Sequence, residues 1–189
     1  MNYLSVFDHL TGKRKAFLQN AYNIGYSLTV NGVSTAVFSL PASDEKNEFC
    51  QPLDYVEVFD ADKRVGLFRI VPTAFVRDEN TAEYTYQCEH VLATLMDDLL
   101  FGWHEIGNVG TSTEQVIRYL IDRQTVPRWQ LGTCDFTHQF LYGWENENLL
   151  SALLSVPNPF PTKYRWVSNT ATKPWMLSLK QWDETVKAQ

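Results

Sequence analysis

The 189-residue sequence predicts an α+β protein: an antiparallel, β-barrel-like domain over residues 1–88, then a smaller α+β domain over residues 89–189 with three helices and a C-terminal hairpin. Three observations predict this class. Apolar and polar residues alternate along much of the first half, and the apolar spacing changes from two to about 3.6 near residue 89. Aromatic residues make up 14% of the chain, a bias that favours β structure and large contact surfaces.

The first half reads as a series of strands. From Tyr22 to Val30 every second residue is large and apolar, so these side chains are expected on one face. Asn31-Gly32 follows and is typical of a type I′ turn, whose two central residues need a positive φ. Residues 33–40 then form the returning strand, and residues 41–47 a polar loop. Another hairpin (55–59 with 65–71) and a strand over 81–88 complete an antiparallel sheet, which curls into a barrel or a sandwich.

The second half reads as helices mixed with short strands. The apolar spacing of residues 89–102 predicts a helix that ends at Gly102. A capping box, Thr111 to Glu114, starts a second helix. A third covers residues 145–156 and is stopped by the prolines that follow. The second helix is expected to bury Val116, Ile117, Leu120 and Ile121. A strand is predicted over 139–142, and a hairpin joins 164–167 to 175–179.

Composition excludes several classes of protein. No apolar run approaches the roughly 20 residues that cross a bilayer, and the first 15 residues have no basic region followed by an apolar one, so we expect a soluble protein without a membrane span. Cys50, Cys88 and Cys134 are odd in number and widely spaced, which favours reduced core thiols over disulfides or a zinc site. With 16 basic and 22 acidic residues, the net charge of −6 argues against specific nucleic-acid binding.

Two histidine pairs are candidates for chemistry. Cys88 and His90 form a Cys-x-His pair, and His104-Glu105 could supply a base with an orienting carboxylate. No second pair has metal-ligand spacing, and His104-Glu105 lacks the second histidine of an HExxH motif. We therefore interpret Cys88 and His90 as structural, and His104-Glu105 as an exposed pair in a loop.

The acidic pairs have structural interpretations as well. Asp97 and Asp98, adjacent on the predicted helix, diverge by about 100° and cannot share a proton. Glu145 and Glu147 fit the N-terminal turn of the third helix, where negative charge is stabilised. Hydrolase-elbow, dinucleotide and P-loop motifs are absent from the sequence. The sequence therefore predicts no catalytic residue, no cofactor-binding residue, no metal ligand and no cofactor.

All six tryptophans lie in the second half of the chain, and we expect a subset at an interface because Trp concentrates at binding hot spots. They are Trp103, Trp129, Trp144, Trp166, Trp175 and Trp182.

Two long stretches, YTYQCEHVLATLMDDLLFG and GTSTEQVIRYLIDRQTVPRWQLGTCDFTHQFLYGWENENLLSALLSVPNPF, carry a family resemblance. They resemble the N-terminal region of phage minor structural tail proteins, the prophage endopeptidase tail or tail-associated lysin family, which is baseplate-hub-like in fold. The Asn-Gly hairpin and GLFRIVPTAFVRD share the resemblance, so it covers nearly the whole chain. Members are longer than 189 residues, so later segments can complete the first domain.

The resemblance implies a function in assembly. Members build tail-tube-like barrels and form a homotrimeric ring at the virion tail tip, after assembly in the host bacterial cytoplasm. The implied partners are other copies of the protein, the distal tail protein, the tape-measure protein, and receptor-binding or lytic modules. The family's lytic chemistry lies in appended C-terminal modules, so no active-site residue is implied here. The acidic net charge also suits a channel that DNA crosses without sticking.

Two other classes of function remain open from the sequence. One is a cell-wall peptidase with His90 or His104 as base and Cys88, Cys134 or a serine as nucleophile. It requires a nucleophile and a histidine within about 3.5 Å of each other in a cleft. The other is a carbohydrate-binding module, which requires several coplanar, solvent-facing tryptophans in one groove.

Overall fold

The computed structural model describes residues 3–77 and 82–182, with residues 72 and 73 described by their backbone alone. The chain divides into two compact units. Among the described residues, the first unit ends at Val91 and the second begins at Leu92; the short segment Val30–Gly32 belongs to the second unit.

The first unit is one sheet of seven antiparallel strands in the order β2-β1-β5-β6-β7-β4-β3. A 3-10 helix, Glu45–Phe49, lies between β4 and β5 in the chain. The strands are β1 (Tyr3–Phe7), β2 (Arg14–Phe17), β3 (Tyr22–Ser27), β4 (Thr35–Pro41), β5 (Tyr55–Asp60), β6 (Lys63–Arg77) and β7 (Ala82–His90).

One face of this sheet carries the core. Leu4 of β1, Phe38 of β4 and Phe68 of β6 are fully buried in one cluster although their strands are not all neighbours. A single sheet brings side chains of separated strands into one cluster when it curls, and the natural twist of β-strands favours this curling. Phe38 also stacks on Tyr86 with ring centroids 4.9 Å apart. In the described part of the chain β2 and β3 pair with one strand each, so the sheet is open and no closed barrel is present.

In its described residues, the second unit contains two small sheets and two α-helices. β8 and β10 pair antiparallel, while β12 lies between β11, antiparallel to it, and β9, parallel to it. The elements are β8 (Leu99–Gly107), α1 (Thr113–Ile121), β9 (Trp129–Cys134), β10 (Leu141–Asn148), α2 (Leu149–Ser155), β11 (Tyr164–Asn169) and β12 (Trp175–Gln181). The fold class is therefore α+β and mostly antiparallel, as predicted.

The core of the second unit is centred on two tryptophans. Trp129 of β9 and Trp175 of β12 are each 1% exposed, with ring centroids 5.3 Å apart in an edge-to-face arrangement. The Trp129 indole N–H donates to Thr94 Oγ1 at 3.0 Å. Helix α1 buries the four predicted residues, Val116, Ile117, Leu120 and Ile121. Its capping box is Ser112 with Gln115, one residue after the predicted one.

The predicted helix over residues 89–102 is wrong. β7 continues to His90, a 3-10 helix covers Val91–Met96, and β8 begins at Leu99. Of the apolar residues that suggested a helix, Val91, Leu92 and Leu95 are buried in the 3-10 helix and Leu100 is buried in the strand, whereas Met96 and Leu99 are exposed. Gly102 does not end a helix but lies inside β8 with a φ of 75°. The backbone of β8 pairs with β10, a strand far along the chain, and this pairing overrides the helical spacing of the local sequence.

The helix predicted from residue 145 begins later. β10 runs to Asn148, whose side chain caps α2 by accepting the Ser151 N–H at 2.9 Å. Glu145 and Glu147 therefore lie in a strand and do not cap a helix, and the predicted strand 139–142 is the start of a longer one. The predicted C-terminal hairpin is present as β11 and β12.

The Asn31-Gly32 segment is not a type I′ turn. β3 ends at Ser27 and β4 starts at Thr35, and of the two turn residues only Asn31 has a positive φ, 56°. The expected single apolar face of residues 22–30 is also wrong, because Asn23, with a φ of 51°, forms a bulge. Residues 45–49 form a 3-10 helix where part of a polar loop was predicted.

Within the described residues, no helix is long and apolar enough to span a bilayer. The same residues contain no group of three or more His, Cys, Asp or Glu side chains placed to hold a metal ion.

Candidate interaction surface

The Cys88–His90 pair lies on β7 against the core of the first unit. Burial raises the pKa of the Cys88 thiol. Burial, and then the nearby Arg64, lowers the pKa of His90 to about 4. At neutral pH the thiol is protonated and the imidazole uncharged, whereas a nucleophilic cysteine needs its thiolate. These residues have the environment of core side chains.

The other two thiols have the same character. Burial, and then the charge of Asp54, raises the pKa of Cys50 to about 12. Burial likewise raises the pKa of the half-buried Cys134. All three cysteines are therefore poor nucleophiles at neutral pH.

Both ring nitrogens of His104 are occupied. Nε2 lies 3.1 Å from the carbonyl oxygen of Phe101, and Nδ1 lies 2.7 Å from the hydroxyl of Tyr119. Because a carbonyl only accepts, Nε2 carries the proton, and Nδ1 accepts from Tyr119. Glu105, the next residue of the strand, points to the opposite face and cannot orient His104. The predicted acid–base pair is not brought together.

The acidic pairs are also separate. Asp98 accepts the Thr125 N–H at 3.0 Å through Oδ1, while Asp97 is exposed. Glu145 is exposed on β10, and Glu147 lies two residues further along the same strand. Asp98 thus binds a backbone amide, and Glu147 accepts from the Asn148 side chain at 3.3 Å.

The partly buried His90 predicts a pH dependence of stability. Its folded pKa of about 4 lies below the value of 6.5 for an exposed histidine, so between these values the unfolded chain binds a proton that the folded chain does not. Stability therefore falls as the pH drops from about 6.5 to 4, by up to about 3 kcal/mol. Urea unfolding of wild type and His90→Gln across this range measures the effect. The two curves should converge at acidic pH; curves that stay parallel would exclude the mechanism.

An exposed apolar face is the main candidate for function. The outward side of the β8–β10 sheet carries the large side chains of Leu99, Phe101, Trp103 and Leu141, which we call the aromatic face. Phe101 is 78% exposed, Trp103 63% and Leu141 58%. Contiguous exposed apolar residues of this size mark interaction sites in soluble proteins.

Cross-strand packing holds Trp103 in place. The indole lies directly over Gly143 of β10, where an added Cβ would come within 2.6 Å of the ring. The glycine thus leaves room for the ring to cover its backbone. A bulge opposite Asn146 interrupts β8, and the Gly102 N–H donates to the Asn146 side chain at 3.0 Å. The ring is therefore exposed but positioned.

The inward side of β10 anchors this sheet to α2. Tyr142 and Trp144 are buried and stack with ring planes 2° apart and centroids 5.7 Å apart. The Tyr142 hydroxyl donates to the carbonyl oxygen of Val156, and the Trp144 indole donates to Ser155 Oγ, both at 2.9 Å. The aromatic face is thus one side of a firmly packed sheet.

The charged side chains on the strands of the aromatic face have one sign. β8 and β10 contain no Lys or Arg, while Glu105 and Glu145 are exposed on the strands and Asp97 is exposed just before β8. A partner for this face has to supply apolar area together with positive charge.

The six tryptophans differ in exposure, and Trp166 is half-buried. Trp129, Trp144 and Trp175 are buried, whereas Trp182 is 39% exposed. Trp103 is the one tryptophan exposed by more than half, so a row of coplanar, solvent-facing tryptophans is not formed. Phe101 was not predicted as a surface residue because the helix prediction covered it. An aromatic ladder was not predicted either, although its period of two was the available signal; it consists of Phe136, His138, Phe140, Tyr142 and Trp144.

Comparison with known proteins identifies what this chain is similar to. Residues 98–172, which include β8, β10 and both α-helices, match the family model of the prophage endopeptidase tail domain. This match confirms the resemblance found in the sequence. A search of the curated proteins gives no match.

Solved structures share the fold over almost the whole chain. Prophage tail protein gp18 from Listeria monocytogenes EGD-e matches with a TM-score of 0.61 and 15% identity, over 95% of this chain and 50% of that protein. The 43 kDa tail protein of prophage MuSo2 from Shewanella oneidensis matches with a TM-score of 0.63 and 12% identity, over 94% and 53%.

A secretion-system protein also has this fold. The E. coli c3393 protein, a type VI secretion component with structural similarity to the T4 tail proteins gp27 and gp5, matches with a TM-score of 0.58 and 10% identity, over 89% and 49%. This chain spans about half the length of each of these three structures.

Proposed function

We propose that this chain is the N-terminal region of a structural protein at the tip of a phage or prophage tail. In this proposal it belongs to a baseplate hub, a ring at the end of the tail tube that anchors receptor-binding or lytic modules. The match of residues 98–172 to the prophage endopeptidase tail domain carries the proposal. The fold shared with prophage tail proteins over nearly the whole chain supports it.

The chemistry of the described residues fits a role in assembly. The cysteines are protonated, and His104 is held by two hydrogen bonds. The prominent feature is instead an exposed aromatic face with an acidic border, which is an interface composition. The chain therefore acts by binding, and any endopeptidase activity resides in appended modules.

The proposed partners follow from the same role. Three copies form the ring, with residues 1–88 as the hub domain and residues 89–189 as the smaller α+β domain. The ring contacts the distal tail protein and the tape-measure protein, and in it the open sheet of the first unit gains the neighbours that exposed edge strands require.

Native mass measurement of the complete protein, of which this chain is the N-terminal region, tests the proposal. We expect a trimer at micromolar concentration, because a hub with specific interfaces buries enough surface to assemble at that level. A strict monomer under these conditions would contradict the ring.

A further inference from the structure

We infer that the aromatic face of one copy of this chain binds the β1–β2 hairpin of a second copy. This inference rests on the proposed ring and names the joint between its subunits. The hairpin segment, residues 10–17, is called the basic hairpin below.

The basic hairpin supplies what the aromatic face lacks. Leu10 is 79% exposed and Phe17 39% exposed, and Lys13 and Arg14 lie exposed between them. Residues 13–15 are also the longest basic cluster in the sequence. The hairpin thus combines apolar area with positive charge.

The two surfaces match in chemistry. An exposed indole or phenyl ring attracts a guanidinium or ammonium group placed over it. Carboxylates at the border of the rings, Glu105 and Glu145, can pair with the same cations. Such a pairing buries the apolar side chains and neutralises both charge clusters, which favours encounter and register.

The hairpin is held in shape before it binds. Asp8 Oδ1 accepts the N–H groups of Leu10 and Thr11 and the Thr11 hydroxyl, at 3.1, 2.7 and 2.8 Å. These bonds, chiefly that from the Thr11 N–H, lower the pKa of Asp8. The Asp8 carboxylate is therefore ionised at neutral pH and keeps the turn closed. A rigid turn loses little conformational entropy on binding.

A buried carboxylate fixes the base of the hairpin. Asp54, 1% exposed, accepts from Lys15 Nζ at 2.6 Å and from the His9 N–H at 3.2 Å. The Lys15 side chain is therefore held by Asp54, whereas the side chains of Lys13 and Arg14 are exposed.

Charge also decides the symmetry of the contact. Two aromatic faces packed on each other would oppose the carboxylates of Glu105 and Glu145 from both copies, which is unfavourable. Contact between two different surfaces avoids this repulsion. Such a heterologous contact propagates from copy to copy and closes into a ring when the rotation permits.

Charge reversal tests the inference on the 189-residue chain. The face variant is Glu105→Lys with Glu145→Lys, the hairpin variant is Lys13→Glu with Arg14→Glu, and a fourth protein combines all four changes. Asp62→Lys with Asp122→Lys, at two exposed positions outside both surfaces, matches the charge change of the face variant. Sedimentation velocity at about 10–200 μM in low salt measures self-association, and the thermal midpoint checks folding.

We expect wild type and the control to self-associate. The face variant and the hairpin variant should each associate at least about tenfold more weakly. The combined variant should regain the association of wild type. A Trp103→Ala variant should also weaken association. Single-surface variants that associate like wild type, or a combined variant that does not recover, would overturn the inference. A wild-type chain that stays monomeric at 200 μM would overturn it too. The mass of the complete protein tests the proposed ring separately from this inference.

Discussion

Replacing Trp129 with alanine is expected to lower the free energy of unfolding of the second unit by about 3–5 kcal/mol. The side chain is 1% exposed, packs edge-to-face on Trp175, and donates its indole N–H to the buried Thr94. Its loss leaves a large cavity and removes the indole hydrogen bond to Thr94. Since small domains are stable by only about 5–15 kcal/mol, a change of this size removes much of the folded population on warming.

Trp103→Ala is the matched control for this substitution. It removes the same atoms from a side chain that is 63% exposed, so it should cost about 1 kcal/mol or less. Urea unfolding followed by tryptophan fluorescence or circular dichroism measures both. Equal losses for the two variants would mean that Trp129 is not the centre of this core.

Gly107→Ala is expected to cost about 3–5 kcal/mol. Gly107 has a φ of 119°, which an L-residue adopts with strain, and an added Cβ would lie 1.9 Å from the carbonyl oxygen of Phe140. That carbonyl accepts the Asn108 N–H at 3.0 Å, so it cannot move aside without losing the bond. The substitution should pull apart the end of the β8–β10 sheet on which the aromatic face stands.

Gly110→Ala separates the clash from the strain. Gly110 has a φ of 90°, but an added Cβ meets nothing within 4 Å. It should therefore cost only the backbone strain, about 1–2 kcal/mol. Thermal unfolding of the two variants measures the difference, and a Gly107→Ala protein as stable as Gly110→Ala would show that the backbone at Phe140 yields.

Elements with strong local signals could be predicted from the sequence. The sequence of helix α1 contains both its N-terminal cap and an apolar face. The burial of Val116 and Leu120 was therefore predicted correctly. The β5–β6 and β11–β12 hairpins also follow from alternating residues around short connections. In each case the residues that fix the structure are close together in the chain.

Elements fixed by distant pairing could not be predicted. Residues 91–100 have helical spacing, but β8 forms because its backbone pairs with β10, and no local pattern reveals that partner. The parallel pairing of β9 with β12 was missed for the same reason. Asn23 lies in a bulge of β3, and Asn146 lies opposite a bulge of β8. Both residues have a positive φ, and a simple alternation of apolar and polar residues predicts neither bulge.

The interaction surface lies between these two cases. The excess of tryptophan in the second half predicted an interface but not which residues form it. Phe101 and Trp103 become a shared exposed face only when β8 is a strand, since residues two apart in a strand point the same way. The incorrect helix in this region therefore hid the surface, whereas the absence of a catalytic motif was visible from the sequence alone.

Electron cryomicroscopy of purified tails, with counting of protein copies per particle, tests the central claim most directly. The account predicts three copies of the complete protein in a ring at the tip, with this region against the end of the tube. Tails of normal composition that lack the protein, in cells that produce it in soluble form, would contradict a structural role.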